Sequence, residues 1–118
     1  MNRVIIAGSR VINNYDLIKS AIIESGFKID EIVCGRARGV DLLGERYGLE
    51  NNIPVINFIA EWDFYGRSAG YIRNERMAKY VGKGGFLILI WDGISKGSGH
   101  MRDLAKKYGL TIFEKIVS

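Results

Sequence analysis

The chain has 118 residues, 47% of them hydrophobic and 25% charged, with a formal net charge of +4. That size and balance suit one soluble domain over residues 1–118, built around a single core. The longest apolar run, Phe86–Trp91, falls far short of the roughly 20 residues that cross a bilayer, and the first residues carry no charged-then-apolar export pattern, so no membrane and a cytoplasmic location are expected.

In chain order, Val4–Ala7 is a continuous apolar run ending at Gly8, as suits a strand buried on both faces. Asn13 or Asn14 offers an N-cap, Leu17, Ile18, Ala21 and Ile22 recur at helical spacing, and Gly26 supplies the stop. Ile32–Cys34 reads as a second strand. From Gly39 a helix places Val40, Leu43 and Tyr47 on one face, with Gly44 and Gly48 one turn apart, where they let it lie close to a sheet. Val55–Ile59, after the single proline Pro54, reads as a third strand, followed by an irregular aromatic stretch from Ala60 to Arg67. A helix over Ala69–Val81 and a turn over Gly82–Gly85 lead into Phe86–Ile90, the strongest strand. After a loop from Trp91 to Gly97, Met101, Leu104, Ala105 and Tyr108 line one helix face, and Leu110–Phe113 closes as a fifth strand.

Strand and helix alternate throughout. The expected fold is therefore α/β: a Rossmann-like, three-layer, doubly wound sheet of about five mostly parallel strands with helices on both faces. Ligands of such sheets bind beyond the carboxyl ends of the strands, where strand order reverses. Four segments lie there: Gly8-Ser9-Arg10, Gly35-Arg36-Ala37-Arg38-Gly39-Val40-Asp41, Trp62 to Asn74, and Trp91 to Met101. Glycine admits close backbone approach, and the free amides at a helix start attract phosphate, so the helices opening near Gly39 and Gly97-Ser98 are candidate anion sites. Neither the dinucleotide fingerprint nor the P-loop pattern follows the first strand.

On the Ala69–Val81 helix, Gly70, Arg73, Asn74, Met77, Ala78 and Val81 share a face, which turns Arg73 and Asn74 toward the strand ends. A buried arginine needs an anion, either ligand phosphate or an internal partner such as Asp41 or Asp92. Asp92 offers an acceptor for a ribose hydroxyl or makes an Asp-Gly turn. Trp91 is open to base stacking, Trp62 reads as core packing, and His100, in the first turn of its helix, is a candidate ligand contact or acid/base. Lone Cys34 cannot form an intramolecular disulfide and has no Cys or His beside it for a metal site, so neither metal nor cofactor is expected.

Gly8-Ser9-Arg10, Gly35, Gly39-Val40-Asp41, Trp62, Gly66-Arg67-Ser68-Ala69-Gly70, Arg73-Asn74 with Met77, Trp91-Asp92-Gly93, Ser95, Gly97-Ser98 and His100-Met101 together resemble the SLOG superfamily. These are Rossmann-like domains related to the DNA-processing protein DprA and the cytokinin-activating LOG enzymes, and the likeness is strongest to the YspA-like subfamily. It spans nearly the whole chain. The resemblance implies a nucleotide-derived ligand held between the glycine-rich loops. Together with the strand-end reading, the candidate ligand-binding residues are Gly8, Ser9, Arg10, Gly35, Arg36, Arg38, Gly39, Asp41, Arg67, Arg73, Asn74, Trp91, Asp92, Gly97, Ser98, Gly99 and His100. Two departures stand out. The double glycine usual after the second strand is Gly35-Arg36 here, and the catalytic glutamate of the LOG enzymes is missing after Gly97-Ser98.

Three functions follow in order of expectation. The first is a binding module that senses or sequesters a nucleotide signal, for example an ADP-ribose derivative or a cyclic nucleotide, as a phage sponge would. The second is an N-glycosidic hydrolase in which Asp41, Asp92 or His100 supplies the acid/base. The third and least expected is nucleic-acid binding, from the basic charge balance. The aromatic stretch from Trp62 to Tyr71 is expected to cover a site or a subunit contact, with a homodimer or higher homo-oligomer as the assembly.

Overall fold

The computed structural model describes residues 1–117. Its elements are β1 (Arg3–Gly8), α1 (Tyr15–Ser25), β2 (Glu31–Cys34), α2 (Val40–Glu50), β3 (Val55–Asn57), the single turn α3 (Trp62–Tyr65), a 3-10 turn (Gly66–Ser68), α4 (Ala69–Val81), β4 (Phe86–Trp91), α5 (Lys96–Lys107) and β5 (Thr111–Ile116). All four strand pairs are parallel, in the order β3-β2-β1-β4-β5. This is the expected Rossmann-like α/β arrangement, with the chain reversing its direction of travel between β1 and β4.

Strand periodicity divides the core into two layers. Ile5, Ala7, Leu87 and Leu89 point to one face, where Met77, Ala78 and Val81 of α4 and Met101, Leu104 and Ala105 of α5 cover them. Val4, Ile6, Ile88 and Ile90 point to the other, against Ile18, Ala21 and Ile22 of α1 and Val40 of α2. Each fully buried isoleucine or leucine contributes about 1.5–3 kcal/mol, so the central strands anchor the fold. Asn14 caps α1 by accepting from the Leu17 amide at 3.2 Å, and Gly26 ends it.

Several boundaries differ from the sequence reading. β3 stops at Asn57 instead of Ile59: Phe58 still pairs its amide with the Cys34 carbonyl, but its ring turns into the core against Tyr80 at 5.4 Å, and Ile59 is exposed. The stretch from Ala60 to Arg67 contains α3 and the start of the 3-10 turn. β4 includes Trp91, and α5 already begins at Lys96 because Asp92 folds the intervening residues into a tight turn. β5 runs to Ile116, carried by full pairing with β4 instead of by apolar content.

The two glycines of α2 lie against the sheet as expected. A Cβ at Gly44 would sit 2.6 Å from Ile6 Cγ2 and 2.9 Å from Ile6 Cβ, and one at Gly48 would crowd Val55. Helix propensity alone favours Gly44→Ala by about 1 kcal/mol, whereas overpacking against a fixed core residue costs about 1–3 kcal/mol. Urea unfolding of Gly44→Ala is therefore expected to show a lowered midpoint. A raised midpoint would mean that α2 does not rest on β1 this closely.

Candidate functional site

The reversal between β1 and β4 opens a cleft of about 410 Å³ beyond their carboxyl ends. Ser9 and Arg10 enter from β1, Asp41 from α2, Arg67 from the 3-10 turn, Arg73 and Asn74 from α4, and Gly97 and Ser98 from the start of α5. Gly8 and Asp92 also line it. Ser9, Arg73 and Ser98, distant in sequence, thus share one cavity. A second cavity of about 260 Å³ adjoins it and holds Gly35, Arg36 and Arg38, with Arg10, Ala37, Trp62 and Arg73 common to both.

Arg73 organises the junction. It is 8% exposed; its Nη1 donates to the Gly35 carbonyl and its Nε donates to Asn74 Oδ1 at 3.0 Å. Burial lowers the pKa of the guanidinium, the charge of Asp41 opposes that shift, and nearby Arg10 reinforces it. Among the described residues no carboxylate stands within salt-bridge distance of Arg73, and Nη2 has no protein acceptor. Neither Asp41 nor Asp92 forms the internal ion pair considered from sequence. Asn74 extends the network, with Nδ2 donating to the Gly97 carbonyl at 3.3 Å and lying 3.4 Å from His100 Nδ1.

Glycine is required where backbones meet at this junction. A side chain at Gly35 would place its Cβ 2.8 Å from Arg73 Cζ, so the Gly35 carbonyl can receive the guanidinium only because no Cβ intervenes. Gly39, at φ 77°, would drive a Cβ into the Ser9 carbonyl. Arg36 has φ 57°, a left-handed conformation that costs a non-glycine residue about 1–3 kcal/mol. The position at which SLOG relatives usually carry a second glycine thus keeps a glycine-like backbone while bearing an arginine.

The two helix starts differ. The Val40 amide of α2 donates to the Ser9 carbonyl at 3.2 Å, and Asp41, in the first turn, is buried and lines the larger cleft. Gly39 lines neither cavity. At α5 no side chain caps the helix, and Gly97 and Ser98 line the larger cleft, so first-turn amides are available to an anion.

The acid/base candidates separate cleanly. Asp92 accepts from the amides of Ile94 and Ser95, both at 2.8 Å, which hold its carboxyl below the ordinary value and commit it to the turn. His100 stands in the second turn of α5, not the first, and lines neither cavity; its ring meets Tyr71 edge-on at 4.5 Å, and burial lowers its pKa. Asp41 is 4% exposed and pushed up to about 6 by burial, against the pull of the Arg73 charge and of the Ala37, Gly8 and Gly35 amides.

The two tryptophans exchange their expected roles. Trp91 is core, packed among Leu89, Met101 and Ala105, with Nε1 donating to Glu114 at 2.7 Å, because it is the last residue of β4 and faces α5. Trp62 is half-exposed, lines both cavities and has the Arg10 guanidinium 5.8 Å from its ring centroid. Gly99 lies against the Trp91 ring, outside both cavities. The candidate contacts omitted Ala7, Val11, Ala37, Trp62, Gly70, Tyr71, Ser95 and Met101 of the cleft lining; of these, Trp62 and Tyr71 bound the aromatic stretch expected to cover a site, and Ser95 stood in the pattern that carries the family likeness.

Because the Asp41 carboxyl titrates near 6 in the fold and near 4 when unfolded, the unfolded chain releases this proton first. Its stabilising contribution is complete below about pH 4 and is lost as pH rises through 6, a change of about 3 kcal/mol. Denaturant unfolding across this range is expected to show Asp41→Asn gaining on the parent by about that amount. Parallel pH profiles would show that the carboxyl is not buried in this way.

The model of the YspA, cpYpsA-related SLOG family matches residues 2–65, which include β1, the Gly35–Asp41 segment and Trp62. The chain is also 30% identical over 122 residues to the Gene 61 protein of Mycobacterium phage D29, covering 95% of this chain and 94% of that protein. No solved structure gives a significant match. The strand-end glycines, the parallel sheet and these two similarities agree, and the chain belongs to the YspA, cpYpsA-related SLOG family.

Proposed function

We propose that the chain binds a nucleotide or nucleotide-derived small molecule, such as an ADP-ribose derivative or a cyclic nucleotide signal, as a sensor or sequestering module. The observation that carries the reading is the convergence of Ser9, Arg73 and Ser98 on one cleft at the switch point of the sheet. There the phosphate meets the start of α5 and a guanidinium with an unused donor, while the half-exposed ring of Trp62 offers a face for a base. Membership of the SLOG family supports a nucleotide-related ligand, and similarity to a phage protein along nearly the full length suits the sequestering form. No helix among the described residues is long and apolar enough to cross a membrane, and the reading places the protein in the cytoplasm, where such signals circulate. Pairing into a homodimer belongs to the same reading, supported by exposed Val11, Phe64 and Ile94.

A second reading rests on Asp41. A carboxyl titrating near 6 inside the cleft suits a general acid for N-glycosidic cleavage, in place of the glutamate of the LOG enzymes. Prolonged incubation with nucleoside monophosphates or ADP-ribose would then release base or ribose phosphate, and Asp41→Asn would stop the release. Full recovery of the nucleotide would remove this reading and leave the first.

Calorimetry with AMP, cyclic AMP and ADP-ribose is expected to find at least one ligand at micromolar affinity. Arg67→Ala, which removes an exposed cleft-lining cation, should weaken binding about tenfold without moving the melting temperature. Absence of heat with every ligand, together with no nucleotide in mass spectra of the purified native protein, would refute the binding function.

A further inference from the structure

We infer that the smaller cavity is a second phosphate subsite, so that the ligand is a dinucleotide-class molecule with two phosphate groups and not a simple nucleoside monophosphate. This inference rests on the binding function proposed above and specifies its ligand.

The smaller cavity is lined by four arginines, Arg10, Arg36, Arg38 and Arg73, and by no carboxylate. Among the described residues the only acidic partner of any of the four is Glu45, 3.8 Å from Arg36 Nη1. Four guanidinium groups around about 260 Å³ repel one another, and among the described residues only the 3.8 Å pair of Arg36 with Glu45 offsets that charge by an ion pair. Phosphate does so with geometry matched to the guanidinium fork.

Continuity ties this cavity to the first. Arg10, Ala37, Trp62 and Arg73 border both, and Arg73 stands between them with no acceptor for its Nη2 among the described residues. Each cavity has its own cationic residues as well: Arg67 and the start of α5 in the larger, Arg36 and Arg38 in the smaller. One ligand reaching from one to the other must therefore carry negative charge at both ends of its span. The shared Trp62 supplies an apolar face between the two charged regions, as expected for a nucleoside joining two phosphates.

The backbone of Arg36 is the independent observation. Arg36 holds φ 57°, a strained backbone for a residue other than glycine, and strain of this kind collects at ligand clamps. Its side chain lines the smaller cavity and not the larger.

The test measures affinity by calorimetry for three probes: AMP with one phosphate, ADP-ribose with adjacent phosphates, and the linear dinucleotide pApA with phosphates separated by a nucleoside. The parent protein is expected to bind at least one two-phosphate probe 30-fold or more tighter than AMP, and the better of the two reports the spacing. In Arg36→Gly and in Arg38→Ala that ratio should fall about tenfold. Arg36→Gly should at the same time raise the melting temperature by a few degrees, which separates lost binding from lost folding. Equal affinity for AMP and both two-phosphate probes, or an unchanged ratio in both variants, would overturn the second subsite while leaving nucleotide binding intact. Binding of none of the probes would overturn both. Tighter binding of a short oligodeoxynucleotide than of either two-phosphate probe would assign the arginines to a nucleic-acid backbone and reject the inference.

Discussion

The site depends on one buried cation. Leaving a guanidinium without a counter-ion in the interior costs several kcal/mol, and a charge-assisted hydrogen bond returns about 1.5–3 kcal/mol. Arg73 obtains two such bonds, to the Gly35 carbonyl at the end of β2 and to Asn74 on its own helix, and it feels the Asp41 charge from α2. Each partner comes from a different part of the cleft wall. The arginine can stay buried only while β2, α2 and α4 keep their relative positions, and Asn74 passes the constraint on to α5 through the Gly97 carbonyl. An incoming phosphate would supply the full negative charge that this arrangement lacks.

Asp41 titrates high because burial disfavours its charge, and the Arg73 guanidinium and the Ala37, Gly8 and Gly35 amides only partly offset that penalty. Carboxyl and guanidinium sit close enough to influence each other without reaching contact, so neither neutralises the other. An anionic ligand beside Arg73 would tend to keep the Asp41 proton in place, since a second negative charge nearby is unfavourable. Ligand charge and protonation of the cleft are thereby linked, whether the bound molecule is merely held or also cleaved.

Much of this was legible in the sequence, for identifiable reasons. β1 and β4 are short apolar runs buried on both faces, α1 has its side-chain cap, and the buried face of α4 carries Met77, Ala78 and Val81 at helical spacing beyond Arg73 and Asn74, so local chemistry and tertiary role agree. Glycine and arginine at strand ends marked the loops that form the cleft. What escaped was decided by direction and by distant partners. Trp62 and Trp91 each follow or end a strand region, but Trp91 points down onto α5 and Trp62 out into the cleft mouth, and a linear sequence does not give that difference. His100 was misplaced by one turn because Asp92 draws the chain into a tight bend and starts α5 early. The left-handed backbone of Arg36 could be suspected only from the glycine that resembling proteins carry there.

In the proposed function, phosphate lodges between β1, Arg73 and the opening turn of α5. A chain of 118 residues is well suited to amide NMR, and titration with a nucleotide tests the claim residue by residue. The largest shifts are expected at the backbone amides of Ser9, Gly97 and Ser98 and at the Arg73 side chain. Shifts confined to the opposite edge of the sheet, at the amino ends of the strands, would contradict it.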